Sequence, residues 1–462
     1  MEASTVAEIA SLASGRLFGS GSGVVTAVST DTRSIQPGQL FVALRGERFD
    51  AHDFLAVAFE QGATAALVEK VNEGLAGLPQ IQVTNSLVGL QTLAKNYRQK
   101  FPVPIVGITG SNGKTSTKEM VAAVLSERLS VTKTSGNLNN HIGVPLSVLK
   151  LERQHQVAVI EYGMNHEGEI AALVGIASPQ HAIITNIGVA HIEFLGSREG
   201  IAREKSVLAE SVGEEGTVVL NASDDFADWI AGRCRARVVR VGFERGQIRA
   251  RDIKHGSDSE EFTVTSDQEE YRVHLPVLGE HMVLNALQAI AIGLIFGLSL
   301  AECAAGLAKT ALPTGRLQVK AVGGIAIVND AYNANPDSMI AALRTVANLP
   351  ANGRRVAALG GMGELGPESI VGHEKVGKAA AEQGFDVLIA VGEKAYPIAA
   401  SAIAAGLTES RTAKSNAEAA ALLNTILEPG DLLLLKGSRS AAIDQIIPLL
   451  EAARASGQRK AP

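Results

Sequence analysis

The strongest chemical signal in the chain is the stretch IVGITGSNGKTSTKEM, an apolar run that passes into Gly110-Ser111-Asn112-Gly113-Lys114-Thr115-Ser116 and then into a helical pattern. Glycines let backbone N–H groups close around phosphate oxygens. The following helix N-terminus favours an anion, a lysine reaches terminal phosphates and a threonine hydroxyl can ligate Mg²⁺. The loop departs from the general consensus because Ile108, not glycine, stands five residues before Gly113. A structural strand-to-helix turn is the alternative. Triphosphate chemistry also needs carboxylate at neighbouring strand ends, and VAVIEYGMNHEGEI supplies Glu161 directly after an apolar run. His191, in TNIGVAHIEFLGS, follows another such run and a glycine. By itself a strand-end glutamate is as readily a surface residue, and a lone histidine a satisfied structural one.

Other polar residues are open to plainer readings. Lys205, in AREKSVLAE, reads as a solvated helical lysine with Glu204 beside it, and Asn285, in GEHMVLNALQAI, as a polar residue near a helix start. Arg316 reads as a linker charge and NDAYNANPDSM as an Asx-rich turn closing a strand.

Short Val- and Ile-rich runs positioning these residues alternate with longer Ala-rich helical stretches, the signature of βαβ units and parallel sheets, so the fold class is α/β. The expected strands include Ile105 to Thr109, Val157 to Glu161, Ala182 to Thr185, Val218 to Leu220, Ile325 to Val328, Val356 to Leu359, Val387 to Val391 and Leu432 to Leu435. Between Arg237 and Leu275 the pattern turns to alternation with turn residues, which predicts a small antiparallel appendage on the middle domain. The apolar run Ala289 to Leu298 is too short to span a bilayer and reads as a buried helix. Arg454 to Pro462, polar and without period, reads as a frayed tail.

At 462 residues the chain is long enough for roughly three domains. Pro-containing junctions at Phe101-Pro-Val-Pro104 and Leu312-Pro-Thr-Gly-Arg316 put the boundaries at 1–101, 102–312 and 313–462. A net charge of −6 argues against a nucleic-acid or anionic-membrane surface, so any anion site is local. Two distant cysteines exclude a disulfide scaffold, and the acidic start lacks a secretory signal's basic region. The expectation is a cytoplasmic protein, with no membrane insertion and nothing that demands more than a monomer.

Seven motifs in order, TGSNGKTSTKEM, SGNLNNHIGVPLSVL, EYGMNHEGEI, TNIGVAHIEFLGS, TGRLQV, NDAYNANPDSM and LLKGSRS, give the chain a resemblance to the Mur ligases. These are ATP-dependent enzymes that build the peptide stem of cell-wall precursors. The resemblance implies an N-terminal uridine-nucleotide-binding α/β domain, a central P-loop ATPase-like parallel-sheet domain and a C-terminal Rossmann-like domain. Sister ligases for earlier stem residues usually carry a histidine where Asn333 or Asn335 stands, which turns the resemblance toward members that join D-alanyl-D-alanine to a UDP-N-acetylmuramoyl-tripeptide.

By the same resemblance, residues 110 to 116 hold ATP together with Asn285, Arg316 and Asp330, while Lys114, His191 and Lys205 serve catalysis. Two Mg²⁺ are implied on Thr115, Glu161, His191 and Lys205, the last carbamylated by CO₂. Ser29, Thr30, Asp31 and Arg33, with Asn137, Asn139 and Asn140, are implied on the UDP-substrate side, and Asn333 and Asn335 on the D-alanyl-D-alanine side. Gly361, Tyr162 and Ser206 depart from the family pattern. The rival readings are another amide ligase of the superfamily, an earlier stem ligase or a folate polyglutamylating type, and a P-loop switch protein. The switch reading is weakened because no N-K-x-D guanine-recognition sequence occurs.

Overall fold

The computed structural model describes residues 1–267 and 269–455. Three large sheets follow one another along the chain, preceded by a small ladder of Ser4–Thr5 with Val24–Val25. The first large sheet runs Arg16–Phe18, Gln80–Gln82, Ala65–Val68, Gln39–Val42, Ala27–Ser29, parallel except for its first pair.

The second has nine strands: Glu269–Leu275, Glu260–Ser266, Ile248–His255, Arg237–Gly242, Thr217–Asn221, His181–Ile184, Ile105–Thr109, Val157–Glu161 and Val131–Lys133. Its strands Ile105–Thr109 and Val157–Glu161 are buried at every position, as a parallel sheet covered by helices on both faces requires. The period-two alternation sorts their side chains. Val106, Ile108, Val157, Val159, Ile183 and Val219 pack in the same core as the helices Lys114–Leu125 and Glu280–Ile295. Ile105, Ala158, Ile160, Ala182, Ile184 and Leu220 share the opposite core with Gly143–Val148, Glu169–Ala177 and Arg198–Glu210. That second core continues into the first sheet, through Leu90, Leu93 and Tyr97 of the helix Ser86–Arg98.

The third sheet runs Gln318–Val322, Ile325–Asn329, Leu432–Lys436, Arg355–Gly360, Val387–Val391, Glu409–Ala413. Its first two strands form a hairpin through Gly323 and Gly324, with φ of +55° and +84°; such two-residue turns need left-handed backbone at both positions. The remaining pairs are parallel.

The expected strands are all present, with ends displaced by a residue or two, as at His181–Ile184, where Thr185 has left the strand. The appendage differs from expectation. Arg237–Gly242 runs parallel to Thr217–Asn221, and only the strands from Ile248 to Leu275 are antiparallel to one another, so this region extends the central sheet instead of decorating it. The apolar run at Ala289 is the buried second half of Glu280–Ile295. Of the expected tail, Arg454 lies in the helix Ile446–Ala455 and donates to Gly323 O and Leu427 O, whereas 456–462 lie outside the described residues. Among the described residues no helix is long and apolar enough to cross a membrane.

Candidate active site

The loop after Ile105–Thr109 sits where the central sheet's strand order carries the chain to both sides, the crevice in which open α/β sheets bind ligands. Gly110 has φ +150°, and a Cβ there would stand 1.8 Å from Thr185 Oγ1. Gly113, at φ +81°, begins the helix Lys114–Leu125 without any side-chain cap, so the orphan amides of its first turn are open to an anion. A Cβ at Gly113 would lie 2.8 Å from Asn285 Oδ1, which explains how Asn285, buried mid-helix, reaches the loop.

The next strand's exit holds the loop in place. Ser111 N donates to Asn186 O at 3.0 Å, Asn112 N to Asn186 Oδ1 at 3.0 Å, Thr185 Oγ1 to Asn112 O at 2.5 Å, and Gly188 N to Ser111 Oγ at 2.9 Å. Lys114 Nζ folds back onto Gly110 O at 2.8 Å. Its pKa is lowered by burial, against the pull of Glu161. Thr115 and Ser116 are buried beside it.

Two buried charged groups stand by this loop with unused polar atoms. Glu161 ends Val157–Glu161 at 1% exposure. Its Oε1 accepts from Asn139 Nδ2 at 2.7 Å, while Oε2 has no partner among the described residues. Lys205 is fully buried on Arg198–Glu210, and its Nζ has no hydrogen-bond partner among them either. Burial, and then the positive charge of Lys114, push its pKa well below the usual lysine range. The sequence reading of Lys205 as a solvated helical lysine is therefore corrected: the charge-rich stretch Arg203-Glu204-Lys205 turns two of its three charges inward. Glu204 is buried because its carboxylate caps the helix Glu169–Ala177, accepting from Gly168 N at 2.9 Å and Ile170 N at 2.7 Å.

The third sheet's loops close over this crevice. Asn335 caps Pro336–Asn348 through Ser338 N, and its Nδ2 donates to Asn112 Oδ1 at 2.7 Å. Asp337 Oδ2 accepts from Val189 N at 3.1 Å, and a Cβ at Gly188 would come within 2.3 Å of the same oxygen. His191, with φ +67°, has Nδ1 2.7 Å from Glu364 Oε2, a close contact without the alignment of a hydrogen bond. Burial lowers the His191 pKa, and the Glu364 carboxylate pulls the other way. Asp330 Oδ2 pairs with the buried Lys436 Nζ at 2.5 Å, and Lys436 also donates to Asn333 O at 3.1 Å. Arg316, no mere linker charge, lies over the Tyr332 ring at 4.3 Å, with its Nε buried and unpartnered among the described residues.

The structure thus brings Lys114, Glu161, His191, Lys205, Asn285 and Asn335 around one loop. Asp330, paired with Lys436, and Asn335, spent on its cap and on Asn112, have protein partners of their own. On the first sheet the contacts are local. Ser29 Oγ and Asp31 exchange hydrogen bonds through the Asp31 backbone, and Asp31 both caps the turn Thr32–Ser34 and pairs with the exposed Arg33 at 2.7 Å. Thr30 lies half-buried between them. Asn140 Oδ1 accepts from Gly143 N at 2.9 Å at the start of Gly143–Val148, and Asn137 is exposed. Sequence reasoning missed Asn186, Glu204, Asp337, Glu364 and Lys436. Asn186, Asp337 and Lys436 carried a signal, their places in the motifs TNIGVAHIEFLGS, NDAYNANPDSM and LLKGSRS, whereas Glu204 and Glu364 carried none.

No three His, Cys, Asp or Glu side chains cluster as a metal site among the described residues. A divalent cation here would rest on Glu161 Oε2, Thr115 and the phosphates of a nucleotide, with Lys205 a fitting donor only once its amine has become an anion.

Three family models match the chain: "Mur ligase family, catalytic domain" at 24–98, "Mur ligase middle domain" at 108–293 and "Mur ligase, glutamate ligase domain" at 315–439. The UDP-N-acetylmuramoyl-tripeptide–D-alanyl-D-alanine ligase of Escherichia coli is 37% identical over 97% of this chain and 98% of its own length. The crystal structure of MurF from Acinetobacter baumannii superposes with a TM-score of 0.90 at 33% identity, covering 98% of this chain and 99% of that one. MurF ligase from Thermotoga maritima, solved in complex with ADP, gives 0.83 at 27% identity over 94% and 99%.

Proposed function

Because the chain belongs to the Mur ligase family, we propose that it joins D-alanyl-D-alanine to UDP-N-acetylmuramoyl-tripeptide at the crevice around Lys114. It is an ATP-dependent peptide ligase of peptidoglycan precursor synthesis. We read it as a cytoplasmic monomer with domains at 1–101, 102–312 and 313–462, the first holding the uridine nucleotide through Ser29, Thr30, Asp31 and Arg33.

The tripeptide's terminal carboxylate oxygen attacks the γ-phosphorus, the bond to the β,γ-bridging oxygen breaks and ADP departs. The D-alanyl-D-alanine amine then attacks the acyl carbon, sheds a proton and expels phosphate. The protein's task is charge neutralisation and alignment. Lys114 exchanges Gly110 O for phosphate oxygens, and Asn285, Arg316 and Asp330 line the nucleotide. Asn137, Asn139 and Asn140 face the muramoyl-peptide or the phosphates, and Asn333 the dipeptide, with Asn335 on the same side tied to Asn112.

Lys205 fits a carbamate for a physical reason. Burial and the charge of Lys114 push this unpartnered amine toward its neutral form, and a neutral amine adds to the carbon of CO₂ and loses one proton to give an anion. Thr115, Glu161, His191 and that carbamate would then hold two Mg²⁺. Bound Mg²⁺ supplies neutralisation of the phosphoryl oxygens.

The observation that carries this reading is the fully buried Lys205 Nζ, without a partner among the described residues, next to the phosphate loop. The test is ADP release by the purified protein with ATP and Mg²⁺, giving the nucleotide tripeptide and D-alanyl-D-alanine singly and together. Release and amide product that need both substrates are expected; release that depends on neither would return the switch-protein reading.

A further inference from the structure

The segment Gly360-Gly-Met-Gly-Glu364-Leu-Gly366 leaves the third sheet after Arg355–Gly360 and reaches the central one. Glu364 has φ +59°, and His191 across from it has φ +67°. Residues bearing side chains persist in left-handed backbone where surrounding contacts over-determine them. Here those contacts run between the two loops. Glu193 N donates to Glu364 O at 3.3 Å, a Cβ on Gly366 would lie 3.3 Å from Glu193 Cα, and Glu364 Oε2 stands 2.7 Å from His191 Nδ1. The His191 side chain is 17% exposed and that of Glu364 46%, so the carboxylate spans from the rim to a nearly covered ring.

We propose that Glu364 is a positioning residue that couples closure of the third domain to the orientation of His191. The proposal rests on the ligase reading and adds to it a residue that the sequence resemblance left without a role. Docking by itself does not need Glu364, because Asn335 on Asn112 and Asp337 on Val189 already join the same two regions. What Glu364 adds is a carboxylate oxygen 2.7 Å from Nδ1, which at ion-pair distance favours the proton on that nitrogen and leaves Nε2 as the unprotonated one. A carboxylate or carbonyl on one imidazole nitrogen fixes tautomer and orientation at the other.

The test uses the full-length protein with Glu364→Ala and Glu364→Gln. Glu364→Ala should lower kcat about tenfold while leaving KM for ATP within about twofold, because ground-state nucleotide contacts are untouched. Glu364→Gln, whose amide oxygen still reaches Nδ1, should recover most of the loss. Side-chain ¹⁵N NMR of His191 in the ligand-free protein should show one Nδ1-protonated tautomer in the parent and in Glu364→Gln, and a mixture in Glu364→Ala. An unchanged His191 signature in Glu364→Ala overturns the proposal, as does a kcat loss that Glu364→Gln leaves unrepaired. Absence of ligation by the parent protein would instead sink the functional reading, with the NMR comparison still deciding the contact.

Discussion

The charged residues of the central crevice and those of the first sheet obey opposite rules. Asp31 and Arg33 neutralise each other at the surface, and such exposed pairs contribute little and constrain little. Lys205 and Glu161 are buried, and each keeps an atom unused among the described residues. Leaving a buried polar group unpaired costs free energy that no packing gain at that atom returns. Such a cost is tolerated where a ligand completes the arrangement, so the central crevice announces itself energetically and the first sheet does not.

The contrast is broken or sharpened by substitutions of decreasing effect. Lys114→Ala should abolish turnover, by about a thousandfold or more, since in the proposed function it removes the charge that meets the transferred phosphoryl group. Intact turnover in a steady-state ADP assay would end the phosphate-loop assignment. Lys205→Met should also cost nearly all activity, yet raise stability by about 1 kcal/mol in denaturant unfolding, because it replaces an unpaired buried polar group by an apolar one of similar length. Lys205→Ala should regain part of its turnover when a short carboxylic acid is added. If Lys205 were a structural residue, Lys205→Met would lower stability and no acid would rescue Lys205→Ala.

Gly110→Ala drives a Cβ into Thr185 Oγ1 and should cost about 1–3 kcal/mol of stability, part of it restored in the double variant with Thr185→Ala. Equal losses in the single and double variants would show that the backbone angle, not the close approach, demands glycine. Arg33→Ala should leave the melting temperature unchanged and raise KM for the UDP-substrate by about tenfold or less. A collapse of kcat in that variant would reverse the comparison between the two regions.

What the sequence revealed follows the same division. The phosphate loop and the strands were legible because their signals are local: a strand's apolar run, glycines at fixed spacing, a helix after them. Lys205 was not legible from its own neighbourhood, since a charge-rich helical stretch reads as solvated, and its neighbour Glu204 turns inward to cap a helix 34 residues away in sequence. The resemblance implied a role for it where periodicity could not. The closing contacts were least legible of all. Asn112 and Asn335 are 223 residues apart, and nothing in either motif marks the other as its partner. Glu364 carries no local mark either: Gly361 is the residue of its loop that departs from the family pattern, whereas the one that reaches the crevice stands three positions later. The antiparallel strands after Ile248 were recognised by alternation, but which sheet they would join is a tertiary matter that alternation does not encode.

The most direct test of the account is ¹³C NMR of the purified protein equilibrated with ¹³C-bicarbonate. A carbamate carbon resonance in the parent protein that vanishes in Lys205→Met is the predicted result. Its absence from the parent at saturating CO₂, or its survival in Lys205→Met, would contradict the claim that the buried amine is there to become the site's anion.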